Sequence, residues 1–342
     1  MILNLKPGDI LRERYRIVDI IGQGGMGSIY QAEDARLEGR VTAIKQIGTD
    51  PNDSPADVQQ TRLQFQREAS TLARLDHPNL PKVSDYFTEN GHDFLVMDFV
   101  PGYDLRQVIE RANSRGEFLP EAQVLSWAAQ IADALTYLHT QEPTVLHRDI
   151  KPGNIKLTPN GTIKLVDFGL VKILSADQTR TITVVQGRGT AYYTPLEQYG
   201  EDVGHTDMRS DLYSFGATLY HLLTNRPPLE AKQRFLTPRA LIPPSEINPG
   251  VSERTERAIM WAMSMHPDDR PLSVAALRDG LLGQGPLPVR ATAATLADAL
   301  PVTTGKGSPS NDQLGAGNMV LAILAMLLLA IAVVVTLAGS PI

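Results

Sequence analysis

The 342-residue chain contains no cysteine. Disulfides, thiolate catalysis and cysteine-ligated zinc are therefore excluded. It also lacks a surplus of base: 32 Lys and Arg stand against 38 Asp and Glu, a formal net charge of -6. Binding along a phosphate backbone relies on such a surplus, so nucleic acid is excluded as the main partner. No secretory signal opens the chain. Met1 to Leu5 is only a brief apolar run before Lys6-Pro7, and the bulk of the chain is expected in the cytosol. No internal repeat is present. What remains is an apolar content of 42%, ample for a core, on a length that suits two lobes sharing a cleft.

The chain divides into four regions. Up to about Val100 it is strand-rich, with Tyr15 to Ile21 and Val41 to Ile47 as β-branched runs bounded by glycine or charge, and Phe94 to Met97 as a third. Between them Leu63, Phe65, Leu72 and Leu75 mark a helical stretch that stops before His77-Pro78. From Leu105 to about Leu282 helical periodicity dominates. Glu121 to His139 carries Val124, Ala128, Ile131 and Leu135 on one face, and Leu212 to Leu223 reads as another helix. Residues 283–317 turn to Gly, Pro, Ala, Ser and Thr, the composition of a flexible tether. Residues 318–338 are assigned to a transmembrane helix, because Met319 to Ala338 is twenty residues without a charge. That length spans about 30 Å as a helix. Arg290 and Lys306 precede it and only Gly339 to Ile342 follow, which places the N-terminal side inside and leads us to expect no external sensor. The fold class is α+β: a small β-rich lobe over about 1–100, a larger α-rich lobe over 101–282, a linker and an anchor.

Chemistry concentrates in two short stretches. His147-Arg148-Asp149-Ile150-Lys151-Pro152-Gly153-Asn154 is followed, thirteen residues after Asn154, by Asp167-Phe168-Gly169. A β-hairpin between them would gather a base-like carboxylate, a cation, an amide and a second carboxylate. That set suits phosphoryl transfer, in which the protein supplies positioning and charge neutralisation. Upstream, Gly22-Gln23-Gly24-Gly25-Met26-Gly27 follows a strand-like run. Its glycines let backbone amides approach phosphates. The β-branched residue and Tyr30 that follow predict a hairpin, whereas a dinucleotide fingerprint requires a helix there. Lys45, inside the apolar run Ala43-Ile44-Lys45, sits where it can reach phosphates if a carboxylate orients it. Glu68 on the following helix is the candidate.

Taken together, these motifs resemble those of the eukaryotic-like (Hanks-type) serine/threonine protein kinases of bacteria, over roughly residues 11 to 282. The resemblance implies the two-lobed protein-kinase fold and a Mg-ATP-dependent transfer to protein hydroxyls, with manganese as the alternative ion. It further implies that Ile21, Gly22, Gly24, Gly27, Ile29 and Ala43 enclose ATP, and that Lys45 paired with Glu68 holds its phosphates. Met97 would be the gatekeeper, Asp98 to Val100 the hinge that meets adenine, and Asp104 a ribose contact. Asp149 would orient or deprotonate the acceptor hydroxyl, Lys151 neutralise the γ-phosphoryl, and Asn154 and Asp167 hold magnesium. Asp211 would brace the catalytic loop, Glu197 pair with Arg270, and Thr190 contact Asp149 and Lys151. Lys151 and Thr190 fit serine/threonine rather than tyrosine acceptors. Arg148 would bind a phosphate in the loop between Gly169 and Pro195, where Thr181 and Thr183, then Thr179, are the candidate sites of autophosphorylation. Implied partners are Ser/Thr-bearing proteins, the membrane, and a second copy for autophosphorylation in trans.

Two positions depart from the pattern. Pro195-Leu196-Glu197 displaces the usual proline of Ala-Pro-Glu, and Lys156 stands where an apolar residue normally floors the adenine site. Two other functions compete. A pseudokinase is weighed against by the joint presence of Lys45, Glu68, Asp149, Asn154 and Asp167, and a small-molecule kinase by Lys151, Thr190 and the threonine-rich loop.

Overall fold

The computed structural model describes residues 4–24, 27–47, 55–167, 172–173, 190–199, 207–237 and 240–287. One compact unit spans Met1–Pro288 and a second spans Val289–Ile342. The second unit, with the assigned membrane segment 318–338, lies outside the described residues. Among the described residues no helix is long and apolar enough to cross a membrane.

The small lobe is a six-stranded sheet. Its strands are β1 (Ile10–Leu11), β2 (Tyr15–Gly24), β3 (Gly27–Asp34), β4 (Val41–Ile47), β5 (Val83–Glu89) and β6 (His92–Asp98), in the order β1-β2-β3-β4-β6-β5. Every pairing is antiparallel. Helix α1 (Pro55–Leu72) crosses between β4 and β5. Side chains alternate across a strand, and β4 sorts its residues accordingly. Ala43 packs with the main core that continues into the large lobe, whereas Ile44 joins a separate cluster with Tyr15, Ile17, Tyr30 and Phe94. Lys45 therefore shares the inward face with Ala43, which is how a lysine comes to be buried in an apolar strand.

The connector leaves β6 and enters β7 (Tyr103–Asp104), which heads α2 (Leu105–Ser114). Here glycine is obligatory. Gly102 has φ +106°, and a Cβ on it would lie 2.1 Å from the Leu157 carbonyl oxygen. Gly102→Ala is expected to cost about 2–3 kcal/mol, the combined effect of a forbidden φ and a backbone clash. Urea denaturation reads this, and a loss below 0.5 kcal/mol would mean the connector relaxes freely.

The large lobe is built on α3 (Glu121–His139) and α4 (Met208–Thr224). On α3, Val124, Ala128, Ile131 and Leu135 are buried together with Trp127, Ala132 and Leu138. On α4 every residue from Ser210 to Tyr220 is buried, so this helix runs through the centre of the lobe. Around them stand β8 (Val145–Leu146), β9 (Ile155–Leu157), β10 (Ile163–Leu165), β11 (Lys172–Ile173), α5 (Ala231–Leu236), α6 (Pro244–Ile247), α7 (Glu253–Ala262) and α8 (Val274–Leu282). Beyond α8, residues assigned by composition to the tether still pack on the lobe: Leu287 lies against the core and Arg254 Nη2 donates to Gly285 O at 2.6 Å.

Candidate active site

A hairpin assembles the acidic centre. β9 and β10 pair with Ile155 opposite Leu165, which sets Asn154, just before β9, beside Val166 and Asp167, just after β10. Val166 N donates to Asn154 O at 2.8 Å. Asn79 fixes β10 from outside: its Nδ2 donates to Ile163 O at 2.8 Å and its carbonyl accepts from Leu165 N at 2.8 Å.

The loop after β8 is held from α4. Asp211 accepts backbone N–H bonds from His147 at 2.9 Å and Arg148 at 2.7 Å, and His139 Nε2 stands 2.9 Å from it. Burial pushes the Asp211 carboxyl up, but these donors outweigh it and hold the group below the usual carboxylate range. Burial likewise depresses His147, which is thereby kept neutral, and lowers the Arg148 guanidinium, against the opposing charges of Asp211 and Glu68. Arg148 at φ +66° and Asp167 at φ +67° occupy the left-handed region. Backbone strain of this kind persists only where surrounding bonds over-determine it, and it clusters at working sites.

Within this frame the Asp149 carboxylate is 6% exposed. Its Oδ2 accepts from Lys151 Nζ at 2.7 Å and Asn154 Nδ2 at 2.8 Å, while its Oδ1 is buried with no partner among the described residues. Lys151 Nζ also reaches Thr190 Oγ1 at 2.9 Å. An unpartnered carboxylate oxygen beside an ammonium is suited to accept the proton of an incoming hydroxyl. Because Asn154 turns its amide nitrogen to Asp149, its oxygen remains available with the Asp167 carboxylate. Two hard oxygen donors at the end of a cleft, with substrate phosphates completing the shell, fit magnesium better than a closed protein cage would.

From the small lobe, Lys45 enters between these groups. It is 5% exposed and forms an ion pair with Asp167. Asp167 projects into the same interior as Lys45 and supplies the opposite charge there. Burial raises the Asp167 carboxyl, and Lys45, with Lys151 nearby, more than offsets this and lowers it. Glu68 sits half-buried on α1 and acts electrostatically on Arg148.

The strand pairings place the nucleotide-side residues. Gly24 pairs with Gly27 at the end of the β2–β3 hairpin, so a strand follows the glycines. Ile29 lies opposite Lys45, and Ala43 opposite Met97. Ala43, Met97 and Val100 are buried, while Gly22 and Ile29 are partly covered and Ile21 is exposed. Asp98 is tied to its neighbours, its N–H to Lys82 O at 3.0 Å and its carboxylate accepting from Lys82 N at 3.2 Å. Asp104, read as a ribose contact, is engaged as a helix cap: its Oδ1 accepts from Gln107 N at 2.8 Å, and Gln107 returns a bond to Asp104 N. Lys156 turns its ammonium to the Gly102 carbonyl at 3.1 Å.

The segment after the loop is pinned to the large lobe. Glu197 receives Arg270 Nη1 at 2.6 Å and Nη2 at 3.1 Å, with Ser210 Oγ at 2.8 Å. The displaced proline in Pro195-Leu196-Glu197 therefore does not unseat the glutamate. Tyr193 Oη lies 2.7 Å from His221 Nδ1, and burial holds that imidazole down at about 4. Thr194 Oγ1 donates to Thr190 O and Ser214 Oγ to Tyr193 O. His139, Asn79 and His221 were not singled out from the sequence. A polar residue on a buried helix face was the available signal for His139 and His221. Phe168, Gly169, Thr179, Thr181 and Thr183 lie outside the described residues.

Residues 15–278 match the protein kinase domain family, and the chain belongs to it. It is 35% identical over 320 residues to the probable serine/threonine-protein kinase SCO3848 of Streptomyces coelicolor, covering 88% of this chain and 44% of that protein. It is 34% identical over 283 residues to the DNA damage-responsive serine/threonine-protein kinase RqkA of Deinococcus radiodurans, covering 80% and 40%. The chain thus spans less than half the length of these relatives. Among solved structures, the kinase domain of Mycobacterium tuberculosis PknI is similar with a TM-score of 0.59 at 29% identity, covering 82% of this chain and all of that one.

Proposed function

We propose that this protein is a serine/threonine protein kinase that transfers the γ-phosphoryl group of ATP, with magnesium, to protein hydroxyls. The observation that carries this reading is the buried, unpartnered Oδ1 of Asp149 beside a lysine that also meets Thr190. Magnesium would be held by Asn154 and Asp167, and it would neutralise charge on the phosphates. Asp149 accepts the hydroxyl proton. Lys45 and Lys151 stabilise charge on either side of the transferred group. The kinships to proteins named serine/threonine kinases support the acceptor class. Incubating the purified full chain with Mg-ATP and a basic protein acceptor tests this. Phosphoserine or phosphothreonine is expected, whereas tight nucleotide binding with no transfer across several acceptors favours the pseudokinase.

The finer proposal is that the enzyme phosphorylates Thr181 or Thr183, with Thr179 next, in trans, and that residues 318–338 tether it to the inner face of a membrane. Confinement to a surface raises the effective concentration of one copy around another. Mass spectrometry of active protein without phosphate between Leu170 and Thr190 contradicts the first part. Recovery of the full chain in the soluble fraction after cell lysis contradicts the second.

A further inference from the structure

Lys156 on β9 stands where the sequence pattern calls for an apolar floor, and its charge is led to one fixed point. Its Nζ donates to the Gly102 carbonyl at 3.1 Å. That carbonyl has little room to move: Gly102 has φ +106°, and its backbone presses on Leu157 so closely that no Cβ fits between them. An ammonium carries three N–H donors and no acceptor. Among the described residues Gly102 takes one of these donors, and no carboxylate stands within ion-pair reach of Lys156. The side chain is thus aimed by its bond to the connector, with two donors left for a ligand.

An acid is nevertheless its nearest cross-strand neighbour. β7 and β9 pair antiparallel with Asp104 directly opposite Lys156. Side chains so placed share one face, with Cβ atoms about 5 Å apart, and opposite charges there ordinarily attract. Asp104 instead gives Oδ1 to the Gln107 N–H at 2.8 Å and keeps Oδ2 3.7 Å from Arg106 Nη2. A carboxylate and an ammonium therefore flank one another without meeting, each tied to its own strand's surroundings. A hydroxyl suits the space between them, because it donates to a carboxylate and accepts from an ammonium at once. The pair also lies at the right place along a nucleotide. Lys156 comes two residues after Asn154, a step of about 7 Å in a strand, and Asn154 marks the phosphate end. Its ammonium reaches the connector just beyond Val100, which is buried at the base end. Between base and phosphates a nucleotide carries its sugar.

We propose that Lys156 selects the sugar of the nucleotide: one ribose hydroxyl accepts from its ammonium and donates to the Asp104 carboxylate, so that ribonucleotides are preferred to deoxyribonucleotides. This rests on the reading of the cleft as an ATP site and adds to it a residue that discriminates among nucleotides. The substitution of a lysine for an apolar floor residue is then the source of a specificity rather than a blemish in the site.

Calorimetry of the full chain with magnesium and ADP, 2′-deoxy-ADP or 3′-deoxy-ADP tests this without requiring turnover. Wild type is expected to bind ADP about tenfold more tightly than the deoxynucleotide that lacks the bridged hydroxyl, as loss of a hydrogen bond to a charged group implies. Lys156→Met keeps the stem and removes the donors, and it should bring that ratio close to one by weakening ADP alone. Lys156→Arg restores a charged donor and should recover most of the ratio. In steady-state assays the same factor should appear in KM for ATP against the deoxy-ATP, since the contact is made alike in ground and transition states. Asp104→Asn preserves a good helix cap while removing the free carboxylate oxygen. It should also lower the ratio, and it carries the test if Lys156→Met fails to fold. A lysine that merely ties β9 to the connector would behave differently: Lys156→Met would lower Tm and weaken all three nucleotides together. That result, or a wild-type ratio of one for both deoxynucleotides, overturns the proposal and leaves the kinase reading standing. Discrimination between the sugars without phosphoryl transfer upholds the proposal and sinks the kinase reading, and failure of ADP to bind removes both.

Discussion

Asp149→Asn is expected to lower turnover by about 10²- to 10⁴-fold, the usual contribution of a positioned general acid–base group. The substitution keeps the volume and the bonds that an amide oxygen can accept, but it removes the negative charge that Lys151 and Asn154 converge on at 2.7 and 2.8 Å. Oδ1, the oxygen without a partner, loses its ability to take a proton. Lys45 and the glycine hairpin, the groups proposed to hold the nucleotide, are untouched. Binding of a fluorescent ATP analogue with magnesium should therefore stay within about threefold of wild type, a tolerance well below the tenfold that 1.4 kcal/mol represents. The signature is a fall in kcat with preserved nucleotide affinity, as for an interaction made chiefly in the transition state. A twofold loss of turnover would remove Asp149 from the assigned role.

Arg270→Met should cost about 3–5 kcal/mol of stability, the penalty for breaking a buried ion pair from one side. The Arg270 side chain is fully buried and that of Glu197 is 10% exposed. Removing the guanidinium strands that carboxylate in the interior and orphans the carbonyls of Ser264, Arg209 and Met265, each bonded to Arg270 between 2.8 and 3.1 Å. Adding Glu197→Leu should recover part of the loss, since a paired charge replaced by apolar groups on both sides is often near neutral. Urea denaturation of the two single variants and the double variant measures the coupling. If the losses simply add, the two residues do not act as a pair.

The sequence disclosed most where one element carried its own signal. α3 falls on the span that periodicity marked, because it buries the face its apolar residues repeat on, and β4 falls on the β-branched run that charge and glycine bound. The hairpin joining Asn154 to Asp167 was legible because the two motifs sit a hairpin's length apart. Partner choice across distant segments was not legible. Lys45 lies 122 residues from Asp167, and nothing local announces that contact. Asp211 was expected to brace the loop, yet the third support from His139, 72 residues away, has no pattern in either helix. Asp104 carries a local signal of a different kind: its spacing to Gln107 is that of a capping box.

Asp149, Lys151, Asn154, Asp167 and Thr190 all belong to the part of the chain organised by α4 and the β9–β10 hairpin, while Lys45 reaches them from a strand of the other lobe. The acceptor-side groups are thus anchored to the large lobe, and a single strand lysine carries the small lobe's contribution to them. Loosening the sheet should slow every acceptor by one common factor, whereas damage below the crevice should change which acceptors are served.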